Sequence, residues 1–305
     1  MRALVIGGNG FIGSHLVDTL LRAGHKVRVF DRCPESFRAP LREVDYRLHD
    51  FQDVAALAES LEGVEIVFHL LSTTVPSTSN LDPVADIQSN LVGTVRLLQL
   101  MQQKGIGRIV YLSSGGTVYG IPEVIPIPES HPLQPICSYG VVKVAIENYL
   151  LMFQKLYGLR PVILRPSNPY GERQGHGGVQ GVVGTFLRKV KASEAIEVWG
   201  DGSVVRDFIH VSDLAALCLQ VAEHNACGTF NVGSGIGHSI LDILSAIERV
   251  IGEKLNPVFK PARSYDVSRV ILDITQGTNT FDWKPSVDLE DGVARTWRWM
   301  NESHQ

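Results

Sequence analysis

Along the first 167 residues, short β-branched runs alternate with longer stretches whose apolar residues recur every three or four positions. The runs are ALVIG (3–7), KVRVFD (26–31), EIVFHLL (65–71), RIVYLSS (108–114) and PVILRPS (161–167), and the amphipathic stretches include 12–23, 83–104 and 139–156. A strand that is apolar without interruption is buried on both faces, so the alternation predicts an α/β domain, a parallel sheet covered by helices. Beyond about residue 167 the pattern loosens into a Gly-rich stretch (171–184), a helix near 184–192 and another near 239–251. That half is expected to form a smaller, irregular domain. No internal repeat, low-complexity tract or linker marks a third unit.

Composition narrows the partners. The 305 residues are 44% hydrophobic, enough to fill one large core or two smaller ones. A formal net charge of -4 without any basic run points to neither nucleic acid nor an anionic membrane surface. No apolar stretch approaches the roughly 20 residues of a membrane span, and glycines interrupt the first apolar run, so the expected compartment is the cytosol. Cys33, Cys137, Cys218 and Cys227 form no CxxC pair and are expected to be free thiols. The ten histidines show no metal-ligand spacing, and His210 is expected to fix a strand end.

The first strand runs directly into GGNGFIG, which satisfies G-x-G-x-x-G from Gly8 and G-x-x-G-x-x-G from Gly7, and a helix follows at once. Small residues there let backbone approach a pyrophosphate, and the helix N-terminus offers N–H donors and the positive end of its dipole. The second strand ends at Asp31, whose carboxylate can accept from ribose hydroxyls and would repel a 2′-phosphate. Gly7, Gly10, Phe11, Ile12, Gly13 and Asp31 are therefore expected to bind NAD rather than NADP, with Arg32 the one neighbour that could soften that preference.

Tyr139 and Lys143 stand four residues apart at the start of the amphipathic stretch 139–156, on one helical face. A phenol is a poor base near neutrality, its reference pKa being about 10. A neighbouring ammonium, together with the charge of oxidised nicotinamide, is expected to bring it toward the working range, so that Tyr139 can take a substrate hydroxyl proton as hydride leaves.

On these residues the chain resembles the extended short-chain dehydrogenase/reductases, specifically the nucleotide-sugar epimerases and dehydratases. The resemblance runs nearly end to end through GGNGFIG, SSGGTVYG (113–120), YGVVK (139–143), RPSNPYG (165–171), GDGSVVRDFIHVSD (200–213) and ARSYDVSRVILDI (262–274). It implies a doubly wound Rossmann domain at 1–167, joined by a later contribution from about 203–232, and a smaller α/β substrate-binding domain at 168–305. It implies that Asp50 and Phe51 flank the adenine, that Leu70, Leu71 and Ser72 line the cofactor groove with Ser113 and Pro166, and that Asn90 lies near the nicotinamide. Asn168, Val182, Arg206 and Arg263 are implied for the sugar diphosphate and its surroundings, with Asp266 near the nucleoside. Two guanidinium forks suit a diphosphate. Trp199 and the WRWM tail are expected to be packing residues.

Relatives that dehydrate or decarboxylate the sugar carry carboxylates just before VYG, where this chain has Gly116 and Thr117. The resemblance therefore implies a 4-epimerase of UDP-sugars that uses NAD without consuming it. The family's Ser/Thr falls on Gly115 when TVYG is aligned and on Ser114 when spacing to the tyrosine is kept. Ser114 is the expected catalytic hydroxyl, with Ser113 and Thr117 as substitutes. Val270, four residues after Asp266, is expected to border the sugar and leave room for an acetamido group, favouring UDP-GlcNAc/UDP-GalNAc over UDP-Glc/UDP-Gal. Uracil and sugar contacts near Gln180 and Gly181 stay open. A nucleotide-sugar reductase, which Asp31 opposes by disfavouring NADPH, and a non-catalytic NAD-binding regulator are the competing readings. The helices at 83–104 and 139–156 are those the family uses to pair subunits, which implies a homodimer.

Overall fold

Each apolar run becomes a strand. The structure, a computed structural model, describes residues 1–174, 181–262 and 267–302. In chain order its elements are β1 (Arg2–Ile6), α1 (Phe11–Arg22), β2 (Lys26–Asp31), β3 (Val44–Leu48), α2 (Val54–Ser60), β4 (Ile66–His69), α3 (Pro83–Asp86), a π-helical turn (Ile87–Val92), α4 (Gly93–Gln103), β5 (Arg108–Leu112), α5 (Ser138–Tyr157) and β6 (Arg160–Pro166). There follow β7 (Asn168–Tyr170), α6 (Val182–Lys191), β8 (Glu197–Trp199), β9 (Val205–His210), α7 (Val211–Glu223), β10 (Gly228–Val232), β11 (Gly237–Ser239), α8 (Ile240–Ile251), β12 (Val258–Lys260), β13 (Arg269–Val270), α9 (Thr275–Phe281) and α10 (Leu289–Glu302). Among the described residues no helix is long and apolar enough to cross a membrane.

The main sheet has seven strands in the order β10-β6-β5-β4-β1-β2-β3, and its registered pairs from β6 to β3 are all parallel. The chain runs outward from β1 through β2 to β3, then returns to the other side of β1 at β4. That reversal opens a crevice at the C-terminal ends of β1 and β4, where doubly wound sheets bind ligands. The alternation of apolar runs does not predict β3. Its sequence VDYRL lies at the sheet edge, pairs only with β2 and is exposed at Arg47 and Leu48, so no continuous apolar run was needed.

Two compact units divide the chain. The first comprises Met1–Gly120, Pro132–Arg165 and Ala215–Phe230; the second comprises Ile121–His131, Pro166–Leu214 and Asn231–Gln305. A later segment, Ala215–Phe230, is grouped with the first unit, and a short early segment, Ile121–His131, with the second.

In the first unit, Leu97, Leu98 and Met101 of α4 and Val142, Ile146, Leu150 and Phe153 of α5 pack with Ile109 and Tyr111 of β5 and Ile163 of β6. The spacing of three and four residues places each set on one helical face. Gly158, at φ 70°, ends α5 in the left-handed conformation that suits a residue without Cβ. The expected helix at 83–104 is interrupted. The π-helical turn separates α3 from α4 and carries the buried Asn90, the kind of local widening that redirects a side chain.

Behind the sheet, a buried ion pair joins three elements. Glu147 of α5 accepts from Arg165 of β6 at both carboxylate oxygens, 3.0 Å from Nε and 2.6 Å from Nη2. Arg165 Nη1 also donates to the Tyr119 hydroxyl at 2.9 Å, and the Ser113 hydroxyl donates to Glu147 at 2.5 Å. Both charged side chains are almost wholly buried.

The second unit is built around β9, which pairs antiparallel with β11 and parallel with β7 and β13. The buried Asp207 accepts from Ser234 N and Oγ, Gly235 N and Leu272 N, gathering two chain segments around one carboxylate of β9. Its core is made by Val183, Phe186 and Leu187 of α6, Ile243, Leu244 and Ile247 of α8, and Val293 and Met300 of α10. Trp297 and Trp299 pack against it, as expected of the tail.

Replacing Glu147 by Ala leaves Arg165 buried without its counter-charge. Denaturant unfolding is expected to show a loss of about 3–5 kcal/mol, whereas a change below about 1 kcal/mol would show that the pair is not integral to the first unit.

Candidate active site

The glycine turn follows β1 as predicted, and its close approaches explain its composition. Gly7 adopts φ 82°, and a Cβ on Gly13 would overlap the Gly7 carbonyl oxygen, so α1 can start this close to β1 only without a side chain there. The α1 N-cap, Gly10, is exposed and offers no side-chain cap. The first N–H groups of the helix, at Phe11, Ile12 and Gly13, are therefore not answered by a capping side chain, which suits an anion.

Asp31 closes this turn from the end of β2. Its carboxylate accepts from the backbone N–H groups of Asn9 and Cys33, each at 3.1 Å. Burial pushes its carboxyl above the usual carboxylate value, opposed by the N–H groups of Cys33, Asn9 and Arg32 and by the Arg32 guanidinium. A cavity of about 230 Å³ opens beside it, lined by Asp31, Arg32, Asp50, Phe51, Leu71 and Ser72 among others. Four of these, Asp50, Phe51, Leu71 and Ser72, are expected from the resemblance to flank adenine or line the groove, and Asp31 with its neighbour Arg32 from the strand end. Leu70 is half-buried, with its N–H paired to Ile6 of β1. Phe51 fits closely: a Cβ on Gly93 would lie 2.7 Å from its ring.

Tyr139 sits one residue into α5, and the capping of that helix is remote. The N-cap Cys137 supplies no side-chain bond. Instead Asn80 Oδ1 accepts from Ser138 N at 2.8 Å and Ser79 Oγ accepts from Tyr139 N at 3.1 Å, both from the loop after β4. The fully buried Asp86 adds a third tie, accepting from the Ser138 hydroxyl at 2.8 Å. Its other oxygen accepts from Thr74 Oγ1 at 2.7 Å and Asn90 Nδ2 at 2.9 Å. On the opposite side, a Cβ on Gly140 would lie 2.8 Å from the Thr117 carbonyl oxygen, so the helix start lies against the turn after β5.

Lys143 shares a small internal cavity with Tyr139, Ser72, Asp86, Asn90 and Tyr111. Its Nζ donates to the Leu112 carbonyl at 2.8 Å and stands 5.4 Å from the Tyr139 ring centre and 4.8 Å from that of Tyr111. Burial pushes the ammonium down to about 8, with Glu147 and Asp86 opposing, so its charge is present at neutral pH and lost above that value. For Tyr139 the expectation joins the ammonium to the charge of oxidised nicotinamide. Burial pushes its hydroxyl up to about 12; a hydrogen bond with Ser72 pulls it down, while Cys137 and Asp86 push it up. The Lys143 ammonium does not bring the phenol toward neutrality against that burial.

Other expected residues divide. Asn90 is buried with its amide donating to Asp86 and Thr73 and its oxygen accepting from Thr73 N, so its side chain orders the loop after β4. Ser113 is buried and its hydroxyl donates to Glu147, so that hydroxyl is already engaged within the first unit. The Thr117 hydroxyl is buried without a partner among the described residues. Ser114 is half-buried and its carbonyl accepts from Val118 N. Pro166 is the buried last residue of β6.

In the second unit, Asn168, Val182 and Arg206 line one cavity of about 540 Å³, with Lys189 and Trp199. Asn168 Nδ2 donates to the Asp207 carbonyl at 2.9 Å and Arg206 Nη1 to the Val205 carbonyl at 2.8 Å. Trp199 is 44% exposed on that cavity rather than packed away. Val270 does not line it: the residue is 3% exposed in β13, paired in register with Arg206. Strand pairing turns its short side chain into the protein, so Val270 is not a contact residue of this cavity. Arg263, Asp266 and Gln180 lie outside the described residues.

Sequence reasoning missed Asp86, Ser79, Asn80 and Tyr111. Only Asp86 left a signal, four residues before Asn90 on a helical stretch; the caps lie about sixty residues from the helix they close.

The model of the NAD dependent epimerase/dehydratase family matches residues 3–233. A UDP-glucose 4-epimerase of Mycolicibacterium smegmatis is 35% identical over 313 residues, covering 100% of both chains. The solved UDP-glucose 4-epimerase of Thermotoga maritima with UDP-glucose has a TM-score of 0.95 at 33% identity, covering 100% of both chains. A UDP-N-acetylglucosamine 4-epimerase of Methanobrevibacter ruminantium, in complex with UDP-N-acetylmuramic acid, has a TM-score of 0.92 at 28% identity, covering 98% of both.

The carboxylate at Asp31 is expected to set cofactor choice. Titration calorimetry should show NAD⁺ bound at least about tenfold more tightly than NADP⁺, and Asp31→Ser should narrow that ratio; equal affinities in the parent would overturn the assignment.

Proposed function

The chain belongs to the NAD dependent epimerase/dehydratase family, and on that premise we propose that it is a UDP-sugar 4-epimerase using NAD. The observation that carries this reading is the shared cavity of Tyr139 and Lys143 beside a dinucleotide-type turn, with no carboxylate in the turn 113–120 that elimination would require. The residues fit the cofactor: the uncapped α1 N-terminus and the Cβ-free approach at Gly13 suit the pyrophosphate, and Asp31 suits the ribose.

Bound NAD supplies a hydride acceptor with a positive charge and, once reduced, a hydride donor. The remaining work falls to side chains. Tyr139 as phenolate takes the 4-hydroxyl proton while the C4 hydrogen leaves with its electron pair. The resulting 4-keto sugar turns over, regains hydride at the opposite face, and receives the proton back from Tyr139. Nothing is consumed. Lys143 keeps a positive charge near the phenol below about pH 8, and the positive charge brought by NAD⁺ acts in the same sense against the burial that raises Tyr139. Ser114, whose hydroxyl forms no bond to a described residue, is available to the substrate. In the second unit, Arg206 and Asn168 offer donors beside Trp199 and Val182, a lining suited to a nucleoside diphosphate.

The finer reading is that the acetamido pair UDP-GlcNAc/UDP-GalNAc is accepted alongside UDP-Glc/UDP-Gal. Its support is similarity to a UDP-N-acetylglucosamine 4-epimerase as well as to UDP-glucose 4-epimerases; Val270, which does not line the cavity, adds nothing to it. A homodimer is the accompanying assembly. Val141, Tyr149, Met152 and Leu156 form an exposed apolar stripe along α5, on the helix side away from its core residues.

Proton NMR of the purified protein with UDP-GlcNAc and no added cofactor is expected to show UDP-GalNAc appearing to equilibrium. Tyr139→Phe should slow it by about 100-fold or more while the fold persists. Conversion of UDP-Glc alone would remove the acetamido reading, and silence on both would remove the epimerase reading. Analytical ultracentrifugation is expected to give a dimer that Met152→Glu dissociates; a monomeric parent would remove the dimer.

A further inference from the structure

The middle residue of the glycine turn is not small. Asn9 stands between Gly8 and Gly10 and is buried, at 6% exposed. We infer that Asn9 is a positioning residue for cofactor choice: its amide clamps the chain just beyond β2 and so holds the Asp31 carboxylate in place for the nucleotide ribose. This rests on the assignment of Asp31 to that ribose.

Three hydrogen bonds carry the inference. Asp31 Oδ2 accepts from Asn9 N and Asp31 Oδ1 accepts from Cys33 N, each at 3.1 Å. Asn9 Nδ2 in turn donates to the Cys33 carbonyl at 2.7 Å. The bonds close a ring through the glycine turn, the end of β2 and the second residue beyond it. Turn and strand already touch, since a Cβ on Gly8 would lie 2.7 Å from the Val29 side chain. With one N–H bond at each oxygen the plane of the carboxylate is fixed, and further lone pairs stay available to ribose hydroxyls.

The asparagine is held for its donor. A carbonyl meets only a donor, so the Cys33 carbonyl sets which end of the Asn9 amide faces it. The amide oxygen is buried and bonds no described residue. An unanswered buried oxygen costs stability that a smaller residue would avoid, so what the side chain contributes is the bond from Nδ2. Pro34 follows Cys33, has no N–H of its own and biases Cys33 toward extended backbone. The Asn9 amide and the Pro34 ring thus constrain Cys33 from two sides.

Asp31 and Arg32 line the same cavity. A carboxylate held there accepts from the 2′-hydroxyl of NAD and repels the 2′-phosphate of NADP, whereas the Arg32 guanidinium attracts that phosphate. Releasing the clamp lets the carboxylate turn away and shifts the balance toward Arg32.

The test is binding of NAD⁺ and NADP⁺ to the full chain by titration calorimetry, with circular dichroism and the melting temperature as checks on folding. In Asn9→Ala, NAD⁺ is expected to bind about fivefold to tenfold more weakly, the size of one lost hydrogen bond, while NADP⁺ stays within about twofold of the parent or binds more tightly. Pro34→Gly, which loosens Cys33 without touching the glycine turn, should move the ratio the same way by a smaller factor. In the Asp31→Ser background Asn9→Ala should leave the ratio within about twofold, because no carboxylate is left to position. An unchanged ratio in Asn9→Ala, or in Pro34→Gly where Asn9→Ala does not fold, would overturn the inference and leave Asp31 in its role. So would an undiminished effect of Asn9→Ala in the Asp31→Ser background. A parent without preference for NAD⁺ would overturn the Asp31 assignment and this inference together. A parent that converts no UDP-sugar yet shows the Asn9-dependent ratio would overturn the epimerase reading and uphold this one.

Discussion

Glu147 and Arg165 hold the frame on which the first unit's chemistry rests. One carboxylate on α5 accepts two N–H bonds from a guanidinium on β6 and an O–H bond from the serine that follows β5. Two charges taken out of water are expensive unless each lone pair and proton is answered, and here the geometry answers most of them. The consequence is registration of α5 against the sheet. Helical spacing does the rest: Lys143 stands one turn before Glu147, and Tyr139 one turn before Lys143. The apolar face of Val142, Ile146 and Leu150 would tolerate sliding, because hydrophobic burial has no direction. The ion pair does not.

A second constraint acts at the other end of the same helix. A helix N-terminus is usually closed by a local capping side chain, yet Cys137 supplies none. Asn80, Ser79 and Asp86 supply the missing partners from the loop after β4 and the short helix that follows it. The segment that lines the cavity beside Asp31 at Leu71 and Ser72 is therefore the segment that closes the start of α5. Binding in the groove and the placing of Tyr139 share one polar network. The burial that surrounds this network also raises the phenol of Tyr139.

The second unit follows the same pattern with different residues. Asp207 gathers the segments at Ser234, Gly235 and Leu272 around β9, and its own strand neighbour is Arg206. A buried carboxylate met by several N–H donors thus fixes the strand from which a guanidinium reaches the cavity. Its carbonyl also takes the Asn168 amide, leaving that side chain oriented rather than free.

Local sequence determined the parallel sheet, because strands buried on both faces must be continuously apolar. It determined the glycine turn, because helix and strand meet there without room for Cβ. It also placed Asp31 at a strand end and Tyr139 with Lys143 on one face, since those relations span only a few residues. The edge strand β3 was hidden because half-exposed strands need no such run. What only the tertiary structure decided involves partners distant in sequence: the remote caps at Ser79 and Asn80, the diversion of Ser113 to Glu147, the withdrawal of Val270 into its strand, and the sharing of one internal cavity by Ser72, Tyr139 and Lys143. A hydroxyl or a valine looks the same in sequence wherever it points. Which group it meets is set by chain segments that periodicity cannot bring together, and the sign of a pKa shift follows from how much water that meeting removes.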